Sequence, residues 1–148
     1  MSQQPPSAQQ INPFNDLDGG AAEANLLGKT PHEAAALLEE NSLRYSEDYT
    51  WMGPQAFLYY VDALQIYLES DRSRGDHEIA YSMIQTLRLR LSFDGKAIAD
   101  AVPAMRRFCG RVEADFERLG FPKMFRARLT RRVSELESEI QRVTESSA

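Results

Sequence analysis

The sequence predicts an all-α, bundle-like domain of four or five helices, and three observations carry that prediction. Apolar residues recur at i, i+3, i+4 and i+7 in separate stretches, as in Phe57, Tyr60, Val61, Leu64, Tyr67 and Leu68. Proline and glycine stand where helices begin and end, at Pro31, Pro54, Gly75, Gly120 and Pro122. Thr30-Pro31-His32-Glu33 spells a capping box, with Thr30 as N-cap and Glu33 reaching back to the Thr30 N–H.

Taken in order, residues 1–25 are rich in Gln, Pro, Ser, Asn, Gly and Ala and poor in core-forming side chains. That composition predicts a disordered tail, followed by a single helical domain over residues 26–148. A short helix runs from the capping box to about Asn41 and buries Ala34, Leu37 and Leu38. Residues 42–52 have neither helical nor strand period, yet carry Tyr45, Tyr49 and Trp51, which predicts an ordered loop. Gly53-Pro54 then opens a helix that is apolar on most faces and so belongs at the centre of the domain. Within it Tyr59 and Tyr60 supply buried rings with polar ends.

Gly75 ends a helix and Asp76 is placed to cap the next, from His77 to Leu91. Its last part, Leu87 to Phe93, alternates strictly, the pattern of a strand. Helix is preferred there because the run upstream has helical period and no turn signal separates the two. Lys96 to Val102 reads as a short helical piece before Pro103, after which Met105, Phe108, Cys109, Val112, Phe116 and Leu119 form an apolar face ending at Gly120. Gly120-Phe121-Pro122 has the form of a Schellman ending, with Phe121 as its hydrophobic contact and Pro122 starting the last helix. In that helix Leu129, Val133, Leu136, Ile140 and Val143 are spaced 4, 3, 4, 3, a seam that serves either the domain's own core or a homodimer.

Composition excludes several classes. The 148 residues are one domain's worth of material, and 26% are charged, an ordinary globular balance. Even the richest apolar run, Phe57 to Leu68, is interrupted by Asp62, so an integral membrane protein is excluded. The first residues have no basic start and no apolar run of a secretory signal, so the expected location is cytoplasmic. Arginine outnumbers lysine 14 to 3, a skew that points to a bacterial, GC-rich genome. Cys109 is the only cysteine, which excludes an internal disulfide and any multi-cysteine metal site, and its expected role is a buried small apolar group.

Catalytic templates fail as well. His32 and His77 each sit at an expected helix start, where imidazole is usually exposed, and neither has a partner in sequence. The helical zinc motif, the calcium loop, the nucleophile elbow and the glycine-rich phosphate loop are all missing. No catalytic residue, metal ligand set or cofactor is therefore expected, and the chain leans away from an enzyme.

Two clusters remain as binding candidates. Glu47, Asp48, Tyr49 and Trp51 combine acid with aromatic anchors, the mixture protein interfaces use, and form the candidate protein-binding site. Arg126, Arg128, Arg131 and Arg132 form a candidate basic patch, within a stretch from Ala104 to Arg132 that carries net +6. The whole chain carries net −5, and residues 1–75 carry −7, which weighs against nucleic acid as the partner. A third, weaker signal is Asn12-Pro13-Phe14, a tripeptide that eukaryotic trafficking adaptors bind, here expected to dock Phe14 on the domain.

Leu26-Leu27-Gly28-Lys29-Thr30-Pro31-His32-Glu33-Ala34, followed by Ser46-Glu47-Asp48, Trp51-Met52-Gly53-Pro54, Ala56-Phe57 and Tyr59-Tyr60-Val61, resembles a bacterial family of small helical domains with no assigned function. The resemblance covers about residues 26–70 and implies a bacterial cytoplasmic protein, with no catalytic residue to transfer. The functional expectation is a non-catalytic protein-binding module with an unidentified protein partner. An immunity-type inhibitor, whose acidic face fills a toxin's basic active site, is one form of it. Two alternatives stand beside it: a small enzyme using Glu or Asp with Arg on a phosphorylated substrate, and a basic-patch nucleic-acid binder.

Overall fold

The computed structural model describes residues 4–145. Residues 1–3 of the expected tail and 146–148 at the end of the expected domain lie outside the described residues. The chain is all-helical, and no β-strand occurs among the described residues. Among the described residues ten α-helices follow in order: α1 (Ala8–Ile11), α2 (Leu17–Leu26), α3 (Pro31–Glu40), α4 (Ser42–Ser46), α5 (Asp48–Trp51), α6 (Pro54–Tyr60), α7 (Asp62–Leu68), α8 (His77–Asp94), α9 (Val102–Ala114) and α10 (Arg126–Glu145). Tight 3-10 turns at Asp71–Ser73, Gly95–Ala101 and Lys123–Phe125 connect the later ones. Four or five helices were expected; α2, α3 and α6 to α10 already make seven of seven residues or more.

The capping box forms as read: Thr30 Oγ1 accepts from Glu33 N (3.1 Å) while Thr30 N donates to Glu33 Oε1 (2.9 Å). The apolar run after Pro54 is divided at Val61, where Leu64 N bonds to Val61 O, a 3-10 step that ends α6 and starts α7. α7 buries Ala63, Leu64, Tyr67 and Leu68 between α3 and α9, so this half of the run holds the central position. Strict alternation at Leu87–Phe93 does not make a strand. Leu87 and Leu91 share the buried face of α8 one turn apart, and Leu89 points outward.

Phe121 N bonds to Phe116 O and Gly120 N to Glu117 O, with Gly120 at φ +86°, the two bonds of a Schellman ending. The Phe116 and Phe121 rings stack at 4.9 Å and 7°, the hydrophobic contact that the motif calls for. The last helix starts at Arg126 rather than Pro122, because residues 123–125 take a 3-10 turn first. Its seam is spent inside the chain: Leu129, Leu136, Ile140 and Val143 are buried, and α10 lies along α8. A homodimer through that seam would have to do without its apolar surface. Asp76 does not cap α8 with its side chain; Asp76 Oδ2 instead accepts the Tyr67 hydroxyl proton.

The largest correction concerns the N-terminus. Residues 4–25 are not a disordered tail, because α1 and α2 dock on the domain and bury Ile11, Ala22 and Leu26. Gly53 N donates to Ile11 O (2.9 Å), and the Tyr60 hydroxyl, with one proton to donate, lies within hydrogen-bond distance of both Leu26 O (2.7 Å) and Lys29 O (2.8 Å). The contact is close enough that a Cβ on Gly53 would overlap the Gln10 carbonyl, and one on Gly19 would overlap the Asn12 carboxamide. Low average hydrophobicity hid this, since a single fully buried isoleucine between glycine approaches anchors a segment that composition marks as mobile.

Candidate protein-binding face

The expected loop 42–52 is two single-turn helices held by side chains from elsewhere. Asn41 caps α4 by accepting from Arg44 N (3.1 Å). The carbonyls at the end of α5 have no intrahelical partner, and a buried arginine of α8 takes them. The two N–H groups of Arg90 Nη1 are shared among Tyr49 O (3.2 Å), Thr50 O (3.4 Å) and Met52 O, while Nε and Nη2 hold Asp94 Oδ2 at 2.8 and 2.7 Å. The guanidinium also lies 5.0 Å over the Phe57 ring. Sequence reading missed Arg90; the Arg90–Asp94 spacing of i, i+4 was its only signal.

This scaffold sorts the four candidate residues into two pairs. Asp48 and Tyr49 point inward, and Glu47 and Trp51 point outward. Tyr49 Oη donates to Tyr60 O (3.1 Å) and its ring meets Phe57 edge-on, a fully internal role whose burial pushes the phenol well above its usual range. Asp48 is 4% exposed and accepts from Asn25 Nδ2 (3.1 Å) of α2. As members of an exposed epitope, Asp48 and Tyr49 are therefore replaced by what surrounds Trp51.

Trp51 is 49% exposed. α5 abuts α2, α4 and α8, and each of these carries an exposed apolar side chain: Leu17 (92%) on α2, Leu43 on α4, Leu89 and Phe93 (86%) on α8. Phe14, 84% exposed, precedes α2 in a turn closed by Asn15 N to Asn12 O (3.2 Å), with Asn12 Oδ1 accepting from Asp16 N (3.2 Å). Phe14 does not dock on the domain as expected, and the Asn12 side chain is buried in its own turn. Exposed apolar groups mark a contact surface where they gather into one patch.

No protein family, curated protein or solved structure that was searched matches this chain. The resemblance to a bacterial family of small helical domains therefore rests on its motifs alone. No helix among the described residues is long and apolar enough to cross a membrane. No group of three or more His, Cys, Asp or Glu side chains among them could hold a metal ion. Cys109 is buried on α9 and its thiol is pushed up to about 12 by burial, with Glu113 and Glu137 adding to the shift. His77 is half-buried against Phe121 at 5.5 Å, rather than exposed at its helix start.

Arg126, Arg128, Arg131 and Arg132 lie on the first turns of α10. Arg126, Arg128 and Arg131 are exposed and Arg132 is half-buried. Arg132 stacks on Tyr81 of α8 at 3.9 Å, Arg126 on Phe116 at 3.8 Å and Arg128 on Phe125 at 4.9 Å.

Burial pushes the Asp48 carboxyl up to about 6; Asn25 opposes the shift, Glu47 adds to it and Arg44 opposes it. The folded chain thus holds a proton there more tightly than the unfolded one, so this group favours the fold fully below pH 3.8, its ordinary value, and the contribution is lost as pH rises through 6. Asp48→Asn keeps an acceptor for Asn25 and removes the buried charge. It is expected to stabilise the fold at pH 7 by on the order of 1–3 kcal/mol, with no gain at pH 4. Urea midpoints at the two pH values check this, and a variant no more stable than wild type at pH 7 refutes it.

Proposed function

We propose that this protein is a non-catalytic protein-binding module of the bacterial cytoplasm, contacting its partner through the corner built by α5 with α2, α4 and α8. One observation carries the reading: the only tryptophan and Leu17, Leu43, Leu89 and Phe93 are exposed on elements that abut one another. The acidic character of residues 1–75, net −7, with Asp18 exposed on α2 and Glu47 exposed between α4 and α5, calls for a partner with an apolar socket and a basic rim. An immunity-type inhibitor of a basic enzyme is one form that meets this description.

The test is affinity purification from native lysate with the wild type, Glu47→Ala/Trp51→Ala and Phe93→Ala. A stoichiometric, basic protein retained by the wild type and lost by both variants, with melting temperatures unchanged, is expected. Equal retention by all three chains would overturn the reading. Asp48 is left out because its substitution alters the interior.

An enzyme acting on phosphorylated substrate keeps one point in its favour, since Glu135 lines one depression with Arg128, Arg131 and Arg132 of the same helix. Glu135 is, however, half-exposed and 3.8 Å from Arg88, not the sheltered carboxyl that acid–base chemistry uses.

A further inference from the structure

We propose that the depression between α8 and the first turns of α10 is a binding site for a small phosphorylated ligand, one carrying two or more linked phosphoryl groups. It is open, about 380 Å³, and lined by Tyr81, Arg128, Arg131, Arg132 and Glu135. Residues 128, 131, 132 and 135 follow i, i+3, i+4 and i+7, so α10 delivers three guanidinium groups and one carboxylate to a single face.

Three features combine at these arginines, although Arg44, Arg72 and Arg74 also form no ion pair among the described residues and Arg44 and Arg90 also stack on rings. Arg88, Arg90, Arg106, Arg107, Arg111, Arg118 and Arg142 each have a carboxylate within 4 Å, whereas no ion pair is formed by Arg126, Arg128, Arg131 or Arg132 among the described residues. Secondly, stacking fixes the planes of Arg126, Arg128 and Arg132 on Phe116, Phe125 and Tyr81. Arg126 and Arg132 each spend Nη1 on a long bond to a backbone carbonyl, Glu113 O (3.4 Å) and Tyr81 O (3.5 Å), and the remaining N–H groups of a guanidinium held by its face are the fork that matches phosphate oxygens. Thirdly, α10 has no acidic residue in its first turn, and four arginines and Lys123 crowd its positive end. Cations there oppose the helix dipole, so the free protein carries an electrostatic penalty that an anion in the depression removes. Local arrangements that work against the fold are characteristic of sites kept for another purpose.

A small ligand fits better than a nucleic acid. Outside Ala104–Arg132 the chain carries net −11, which repels a long polyanion but leaves a compact one inside the basic patch unaffected beyond about 10 Å at ordinary salt.

Pyrophosphate is the probe. Calorimetric titration of the full chain in about 50 mM salt is expected to give a Kd below about 1 mM, weakening as salt is raised. Arg128→Ala/Arg131→Ala, at exposed positions, is expected to bind at least tenfold more weakly with its melting temperature unchanged or slightly raised, since it removes cations from the positive end of α10. Arg128→Glu places an acid at the third position of α10 and is expected to abolish binding while raising the melting temperature of the ligand-free protein by about 1–3 °C. A merely structural patch would not combine lost binding with gained stability. No binding up to about 10 mM pyrophosphate, far above any specific affinity, overturns the proposal, as does equal binding by the double variant. A single-stranded oligonucleotide held through the same arginines about a hundredfold more tightly overturns the small-ligand class in favour of nucleic acid.

Discussion

Arg90→Ala is expected to lower the unfolding free energy by about 3–5 kcal/mol, because it removes a buried cation that several buried groups depend on. The carbonyls of Tyr49, Thr50 and Met52 and the carboxylate of Asp94 all lose their donor at once, beneath the covering Phe57 ring. For a chain of this size that corresponds to a fall of roughly 10 °C or more in melting temperature. Arg90→Lys isolates the geometry. A lysine keeps the charge but lacks the planar fork that spans three carbonyls and a carboxylate, so an intermediate loss is expected. Thermal melts of the two variants check the ordering, and a loss below about 1 kcal/mol for Arg90→Ala would show that the α5 corner does not depend on this side chain.

Gly53→Ala is expected to destabilise by about 2–4 kcal/mol, and the sign of the effect is as informative as its size. Gly53 sits at φ −64° and ψ 164°, a conformation alanine adopts freely, so backbone strain contributes nothing. The penalty comes from the Gln10 carbonyl and the Pro13 ring that the new methyl would meet, so α1 must move and Ile11 with it. Were residues 4–25 mobile, the same change would stabilise by about 0.4–1 kcal/mol through the unfolded state. Denaturant midpoints distinguish the two, and limited proteolysis of the variant is expected to cut ahead of α2, where the wild type resists.

Legibility in the sequence followed the range of the forces involved. Signals carried by neighbouring residues were readable: the Thr30–Glu33 box, the Gly120–Phe121 ending and the buried faces of α9 and α10 each need only a few residues to specify them. Arrangements set by distant partners were not. Ile11 is one apolar residue in a polar stretch, and its burial depends on Gly53, 42 positions away. Asp48 and Tyr49 look like surface groups until Asn25, Tyr60 and Arg90 claim their atoms. The candidate face was half legible for the same reason. Glu47 and Trp51 were identified, whereas Leu17 and Phe93 became relevant only once α2 and α8 were seen to flank α5. The arginine patch was legible as charge, but its lack of counter-ions and its aromatic support required three dimensions.

The anchorage of α8 has a consequence for how its two ends relate. Tyr81, at the arginine groove, and Phe93, at the apolar corner, are separated along one uninterrupted helix by about 18 Å at 1.5 Å per residue. Arg90 pins that helix against both rotation and sliding, since either motion would break the bonds to Tyr49, Met52 and Asp94 together. α8 thus serves as a spacer of constant length. Whatever occupies one end is held at a set distance from the occupant of the other, and substitutions at the two ends are expected to combine independently.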